Sequence, residues 1–157
     1  MADAYLQALR LLARRELSEA QVRTRLRRRG HLDADIEAAI DRLRSERAID
    51  DGRTAAAIAR TQLALRPRGR LRVRQQIERA GIAPALADHA VEAAFGGIET
   101  GALIEAVLAR RLRGRAIAGE AEFRRQYRYL LSEGFEPDEV LAALERHRRR
   151  GAGAADD

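Results

Sequence analysis

Apolar residues recur every three or four positions along most of the chain, as they do on one face of an amphipathic α-helix. Alanine and arginine favour helices, whereas aromatic residues, which favour strands, make up only 4% of the chain. The pattern therefore predicts an all-α protein. Nine helices are expected, at about residues 3–15, 18–29, 33–47, 52–65, 69–80, 84–95, 99–112, 119–133 and 137–149.

Three segments of the chain repeat one another, and each ends at a glycine. They are SEAQVRTRLRRRG (18–30), GRLRVRQQIERAG (69–81) and AEFRRQYRYLLSEG (121–134). A second amphipathic run follows each glycine, and the glycines lie 51 and 53 residues apart in the sequence. That period leaves room for three helices per repeat. The aliphatic positions of the repeats, which we predict to be buried, are Leu26, Ile40, Ile77, Val91, Leu130 and Leu144.

Capping residues support the predicted helix ends. Ser18 and Gln21 have the spacing of a capping box, and Asp33 is placed to cap the third helix. Pro84 and Pro137 suit the first turn of their helices, where a missing N–H has no effect. The repeated glycines stand where a helix often ends in a left-handed residue. These structural caps are Gly30, Gly81 and Gly134, together with Ser18.

Composition excludes several kinds of chemistry. The chain has no cysteine, and all 30 of its basic residues are arginine, so thiol and lysine nucleophiles are absent. His31, His89 and His147 lack the spacing of metal ligands. We therefore expect neither catalysis nor a metal or cofactor. No apolar run approaches the ~20 residues of a membrane span, and the N-terminus lacks a signal-peptide core, which favours a cytoplasmic protein.

The net charge of +6 favours an acidic partner, and the excess lies in residues 51–97. Guanidinium groups pair well with phosphate and carboxylate. The candidate binding residues are Arg66, Arg68, Arg70, Arg72 and Arg74, at alternate positions, and Arg25, Arg28 and Arg29 before the first glycine. The alternative is a solvated basic face, and cations at a helix C-terminus also complement the helix dipole. A further group, Arg110, Arg111, Arg113 and Arg115, is expected to pair locally with Glu105, Glu120 and Glu122.

The stretch ALRLLARRELSEAQVRTRLRRRGHLDADIEAAIDRLRSERAIDD resembles the N-terminal part of the RecX family, regulators of the RecA recombinase. The shared features are a Ser-capped helix, a glycine, an acidic helix and the step Ile49-Asp50-Asp51. RPRGRLRVRQQIERAGI (66–82) and the step Gly134-Phe135 are similar to later family signatures, so the resemblance covers about residues 5–147. One departure is that Thr54 or Ala55 stands where the family usually has an aromatic residue.

The resemblance implies three tandem three-helix modules in an elongated, curved arrangement. It also implies binding along the groove of the RecA–single-stranded DNA filament, with inhibition of filament extension, ATP hydrolysis, strand exchange and coprotease activity. We expect a monomer. The predicted division is 1–50, 51–97 (the most basic module), 98–149 and a disordered tail at 150–157.

A second hypothesis is a helical-repeat protein that binds nucleic acid directly, without a recombinase. In a helix-turn-helix the second helix reads the major groove. Here the arginines concentrate on the first helix of each glycine-linked pair, and the second helix of the first pair is acidic. That distribution disfavours groove reading by the second helix.

Overall fold

The computed structural model describes residues 3–153, and within this range the protein forms nine α-helices and no strand. The all-α prediction is therefore confirmed. The helices are α1 (Ala4–Leu12), α2 (Glu19–Arg28), α3 (Asp33–Ser45), α4 (Asp51–Leu65), α5 (Arg70–Arg79), α6 (Pro84–Phe95), α7 (Thr100–Leu112), α8 (Gly119–Ser132) and α9 (Pro137–Gly153).

The end of α9 differs from the prediction. The sequence predicts a disordered tail from residue 150, but α9 continues to Gly153. The last turn is held because Arg150 pairs with Glu105 at 2.6 Å. Gly151 also lies so close to Ala116 that an added Cβ would stand 2.7 Å from the alanine methyl. Residues 154–157 of the predicted tail lie outside the described residues.

The chain divides into two compact units. The first contains residues 3–60 and 74–93 of the described chain, and the second contains residues 61–73 and 94–153. Their boundaries fall within α4, α5 and α6. The three-module division at residues 50 and 97 stays a prediction.

Each unit has an aliphatic core. In the first unit α1 packs on α2 and α3, and Leu17 and Val22 lie together in the core as the hydrophobic staple of α2. In the second unit α7 and α8 pack on α9. The six aliphatic residues predicted to be buried are all at most 5% exposed, which confirms that prediction: Leu26, Ile40, Ile77, Val91, Leu130 and Leu144.

The predicted caps are confirmed with one exception. Ser18 and Gln21 form the capping box of α2, with the serine hydroxyl accepting from the Gln21 N–H at 3.1 Å. The exception is Asp33, because α3 starts after Leu32 without a side-chain cap. The Asp33 carboxylate instead accepts from Arg27 at 2.8 Å, so the nearby guanidinium competes for it. The repeated glycines all have positive φ, as predicted: Gly30 (86°), Gly81 (77°) and Gly134 (87°).

Side chains in the first turn of α4 form hydrogen bonds with the backbone around the start of α2. Asp50 caps α4 by accepting from the Arg53 N–H, whereas Asp51 accepts from the Glu19 N–H in the first turn of α2. Thr54, only 1% exposed, bonds through its hydroxyl to the Leu17 carbonyl at 3.3 Å. A buried threonine thus fills the place where the family resemblance leads us to expect an aromatic ring.

Two of the three repeated glycines, Gly81 and Gly134, make a similar contact with a neighbouring helix, which we call the glycine seam. In the first unit the Ser18 hydroxyl donates to the Ala80 carbonyl, next to Gly81. Gly81 lies against Ala20 so tightly that a Cβ would collide with the alanine methyl. The first seam therefore joins the start of α2 to the end of α5.

The second unit repeats this seam at the aligned residues. The Gly69 N–H, at the position aligned with Ser18, donates to the Glu133 carbonyl at 2.8 Å. The Leu71 N–H donates to the Gly134 carbonyl at 3.1 Å, and Gly134 lies directly against the Arg72 backbone. These bonds satisfy N–H groups at the start of α5, where no intrahelical partner exists.

Ser18 acts in both the capping box and the first seam, so a Ser18→Ala variant should be less stable. Loss of an N-cap side chain costs about 0.5–2 kcal/mol, and here a bond to a buried carbonyl is lost as well. Thermal unfolding followed by circular dichroism measures the effect. The matched control is Ser45→Ala, which removes an exposed hydroxyl bonded only to the Arg42 carbonyl. Equal melting temperatures for the two variants would contradict the role given to Ser18.

Candidate functional site

The five arginines at alternate positions differ in their surroundings. Arg66, in the link after α4, is exposed, whereas the other four are half-buried. Arg68 donates to the Gln62 side chain and lies 3.9 Å from the Glu133 carboxylate. The link therefore holds one arginine inward and leaves Arg66 facing solvent.

The three arginines on α5 are engaged within the protein. The Arg70 guanidinium lies over the Phe95 ring at 5.2 Å, and Arg72 donates to the Ser132 carbonyl at 2.8 Å. Arg74 pairs with Asp88 and with Glu78, and the Asp88 carboxylate raises the pKa of Arg74 above its usual range. Arg74 is thus partly neutralised, although it belongs to a run of sequence without an acid.

Arg66 lies at an open cleft in the second unit, which we call the Leu65 cleft, with a volume of about 340 Å³. Leu65 is 76% exposed there. Arg66 and Arg110 make no ion pair with an acid of residues 3–153. The residues that line the cleft are Leu65, Arg66, Pro67, Val107, Arg110, Arg111, Tyr129 and Glu133.

The predicted local pairing of four arginines with Glu105, Glu120 and Glu122 is wrong: none of these acids pairs with Arg110, Arg111, Arg113 or Arg115. Arg111 stacks on Tyr129 at 3.5 Å and donates to Gln126 at 2.9 Å. The acids expected as partners instead pair mainly with arginines that arrive from α9 or lie one turn along α8. These pairs are Glu105 with Arg146 and Arg150, Glu120 with Arg148, and Glu122 with Arg125.

The predicted cluster on α2 also has mixed surroundings. Arg29 donates to Gln7 at 3.3 Å. Arg28 is exposed, and Arg25 is half-buried with a bond to the Gln21 carbonyl at 3.2 Å. Of the three, Arg25 and Arg28 line a common cleft.

That second cleft, in the first unit, lies at the first glycine seam, and we call it the Gly81 cleft. It is open to solvent and has a volume of about 350 Å³. Arg79, which we did not single out from the sequence, completes its basic wall. The lining residues are Ala20, Gln21, Thr24, Arg25, Arg28, Arg79, Ala80 and Gly81. The sequence feature that points to Arg79 as a residue of this cleft is its position two residues before the seam glycine Gly81.

Among residues 3–153, no three histidine, cysteine or acidic side chains come together in a way that could hold a metal ion. In that same range, no helix has the length and apolar character that crossing a bilayer requires. The arrangement defines an all-helical repeat protein whose open clefts carry arginine.

Comparisons with known proteins identify the family. The model of the first three-helix domain of RecX matches residues 4–43, and that of the second three-helix domain of RecX matches residues 50–91. A curated relative from Halorhodospira halophila, named regulatory protein RecX, is 34% identical over 136 residues, which cover 87% of this chain and 83% of the relative. The chain therefore belongs to the RecX family of regulatory proteins.

Some relatives are longer than this chain. A regulatory protein RecX from Geobacillus kaustophilus is 35% identical over 142 residues, which cover 90% of this chain and 52% of the relative. The chain thus spans about half the length of that relative.

Solved structures share the fold. The crystal structure of RecX from Lactobacillus salivarius superposes with a TM-score of 0.75 at 20% identity, covering 91% of this chain and 93% of that one. A second structure, of a regulatory protein RecX, gives 0.79 at 22% identity and covers 92% of this chain and 72% of the other.

Proposed function

We propose that this chain is a noncatalytic regulator of the RecA recombinase that binds along the groove of the RecA–single-stranded DNA filament. By limiting filament extension it lowers ATP hydrolysis, strand exchange and coprotease activity, because all three depend on the assembled filament. The observation that carries the proposal is the relationship to a curated regulatory protein over 136 residues. Action as a monomer in the cytoplasm belongs to the same proposal.

The Leu65 cleft has the chemistry of a protein-binding surface. Arginine and aromatic residues are enriched at interfaces, and an exposed aliphatic side chain beside them adds apolar area to bury. Leu65, Tyr129 and the unpaired Arg66 supply these features within one cleft. Among the predicted arginines, we assign Arg66 to the filament contact, together with Arg110.

The repeats suit a polymeric partner. We propose three modules, at 1–50, 51–97 and 98–149, each built around one copy of the repeated helix. Repeat proteins present surfaces that continue from one unit to the next, which matches a partner made of repeating subunits.

The test of the regulatory proposal is the ATPase rate of RecA on single-stranded DNA, measured with increasing amounts of the full chain. We expect inhibition at amounts well below one chain per recombinase subunit, because blocking extension at a few points limits the whole filament. An unchanged ATPase rate at every ratio would overturn the proposal.

An Arg66→Ala/Arg110→Ala variant tests the assigned surface. We expect about five- to tenfold more of this variant to be needed for half-inhibition, since each contact contributes on the order of 1 kcal/mol or less. Arg124→Ala/Arg128→Ala is the matched control, because it removes two exposed charges from α8. Equal inhibition by the two variants would remove the Leu65 cleft from the interface.

A further inference from the structure

We propose that the Gly81 cleft binds backbone phosphates of a single nucleic-acid strand through Arg25, Arg28 and Arg79. This inference goes beyond regulation of a recombinase, because it assigns to the chain alone a site for a polyanionic ligand.

The cleft concentrates positive charge without internal neutralisation. Its lining contains three arginines and no acid. The acids nearest in sequence on the same helices are engaged elsewhere: Glu19 pairs with Arg44 and Glu78 with Arg74. The guanidinium groups of the cleft therefore keep their charge available for a ligand, and guanidinium is the group that pairs bidentately with phosphate.

The pKa of Arg25 reflects the positive charge that surrounds it. Partial burial, the Arg15 charge and the Arg28 charge all lower the pKa of Arg25 below its usual range. Like charges held together favour binding of an anion, because the ligand relieves their repulsion.

The floor of the cleft leaves room for such a ligand. Gly81 has no side chain and packs on the Ala20 methyl, so the cleft between α2 and the end of α5 is lined in part by the small residues Ala20, Ala80 and Gly81. Gly81 has a φ of 77°, a conformation that glycine adopts without strain. The wall arginines can thus approach a ligand without a bulky residue between them.

The internal repeat provides a comparison that separates function from fold. In the second repeat, Gln76 aligns with Arg25, and in the third repeat Ser132 aligns with Arg79. The second seam nevertheless forms, with its Gly69 to Glu133 hydrogen bond in place. A glycine seam therefore does not need arginines at these positions, and their presence at the first seam requires another explanation.

The lining favours a phosphate backbone over an acidic protein segment. A peptide that binds in a groove as a helix or an extended strand is commonly anchored by side chains that enter pockets. The Gly81 cleft offers only Ala20, Ala80 and the aliphatic parts of polar side chains. A strand held by its phosphates needs no such anchor, because sequence-independent affinity comes from charge.

The experiment measures binding of a fluorescein-labelled oligothymidylate of about twelve nucleotides to the full chain, without recombinase, between about 50 and 200 mM salt. The test variant is Arg25→Gln/Arg79→Ser, which copies the residues of the aligned positions. The control is Arg124→Gln/Arg128→Ser, with the same change of charge on α8. Melting curves verify that both variants fold, and Arg28→Gln, at an exposed position, serves as a second test variant.

We expect the test variant to bind about tenfold more weakly at low salt, with a log–log salt slope lower by about 1.4, since each lost phosphate contact contributes about 0.7. The control should change affinity less than about twofold. Equal weakening by test and control variants, or unchanged binding by the test variant and by Arg28→Gln, would overturn the site. So would equal, Arg25-dependent affinity for a polyglutamate of the same charge. Because this binding experiment contains no recombinase, a negative result would overturn the nucleic-acid site but would not bear on the proposed regulation, which the ATPase experiment tests.

Discussion

A Gly134→Ala variant should unfold far more easily than a Gly30→Ala variant, although both glycines have nearly the same φ. The two substitutions share the strain of a left-handed residue with a Cβ, about 1–2 kcal/mol. They differ in what the new methyl meets. At Gly30 a Cβ would meet no atom within 4 Å apart from its chain neighbours, whereas at Gly134 the Cβ would lie 2.9 Å from the Arg72 Cα and closer still to its backbone nitrogen.

Backbone cannot move aside as a flexible side chain can, so the second seam must open. Overpacking typically adds about 1–3 kcal/mol, which brings the total for Gly134→Ala to about 2–5 kcal/mol. Urea unfolding followed by circular dichroism gives both free energies of unfolding. If the two variants lost the same stability, the close packing at Gly134 would have no energetic consequence.

A Leu26→Ala variant should lose about 2–5 kcal/mol of folding free energy. Leu26 is fully buried in the first core, where it packs with residues of α1, α2 and α3, so truncation removes apolar contacts and leaves a cavity. At this chain length the melting temperature should fall by about 2–4 °C for each kcal/mol.

Leu32→Ala is the matched control for Leu26→Ala. It is the same chemical change at a side chain that is 67% exposed, six residues further along the chain. Its stability should stay within about 0.5 kcal/mol of the parent protein. A Leu26→Ala variant as stable as Leu32→Ala would mean that the spacing of aliphatic residue and glycine, which recurs in the three repeats, does not mark the core.

The fold could be predicted because its signals are local. The helical spacing of Leu26 and Ile40 depends on few neighbours, and the capping box at Ser18 spans only four residues. A glycine after the last apolar turn is also a short-range signal, and the three copies supported one another. The end of α9 depends on a distant contact with Glu105, and here the sequence predicts a helix end that comes too early.

The sites were harder to predict because arginine partners are set by tertiary contacts. Arg74 and Arg66 look alike in sequence, yet Arg74 meets Asp88 from α6, fourteen residues later, and Arg66 stays exposed. Arg79 joins Arg25 only because the first seam brings α2 to the end of α5. Charge runs therefore locate the basic regions but do not identify which arginines remain available.

The third repeat carries a buried amide, Gln126, where the first has Val22 and the second has Val73. Gln126 is 3% exposed and satisfied on both sides, by Arg111 at 2.9 Å and Glu122 at 2.6 Å. Tandem repeats of similar sequence are prone to exchange equivalent helices while they fold. If α8 entered the first core in place of α2, this amide would lose the Arg111 bond, and a buried unsatisfied polar group costs about 1–3 kcal/mol. This single polar position thus distinguishes the third repeat from the other two and disfavours the exchange of equivalent helices between repeats.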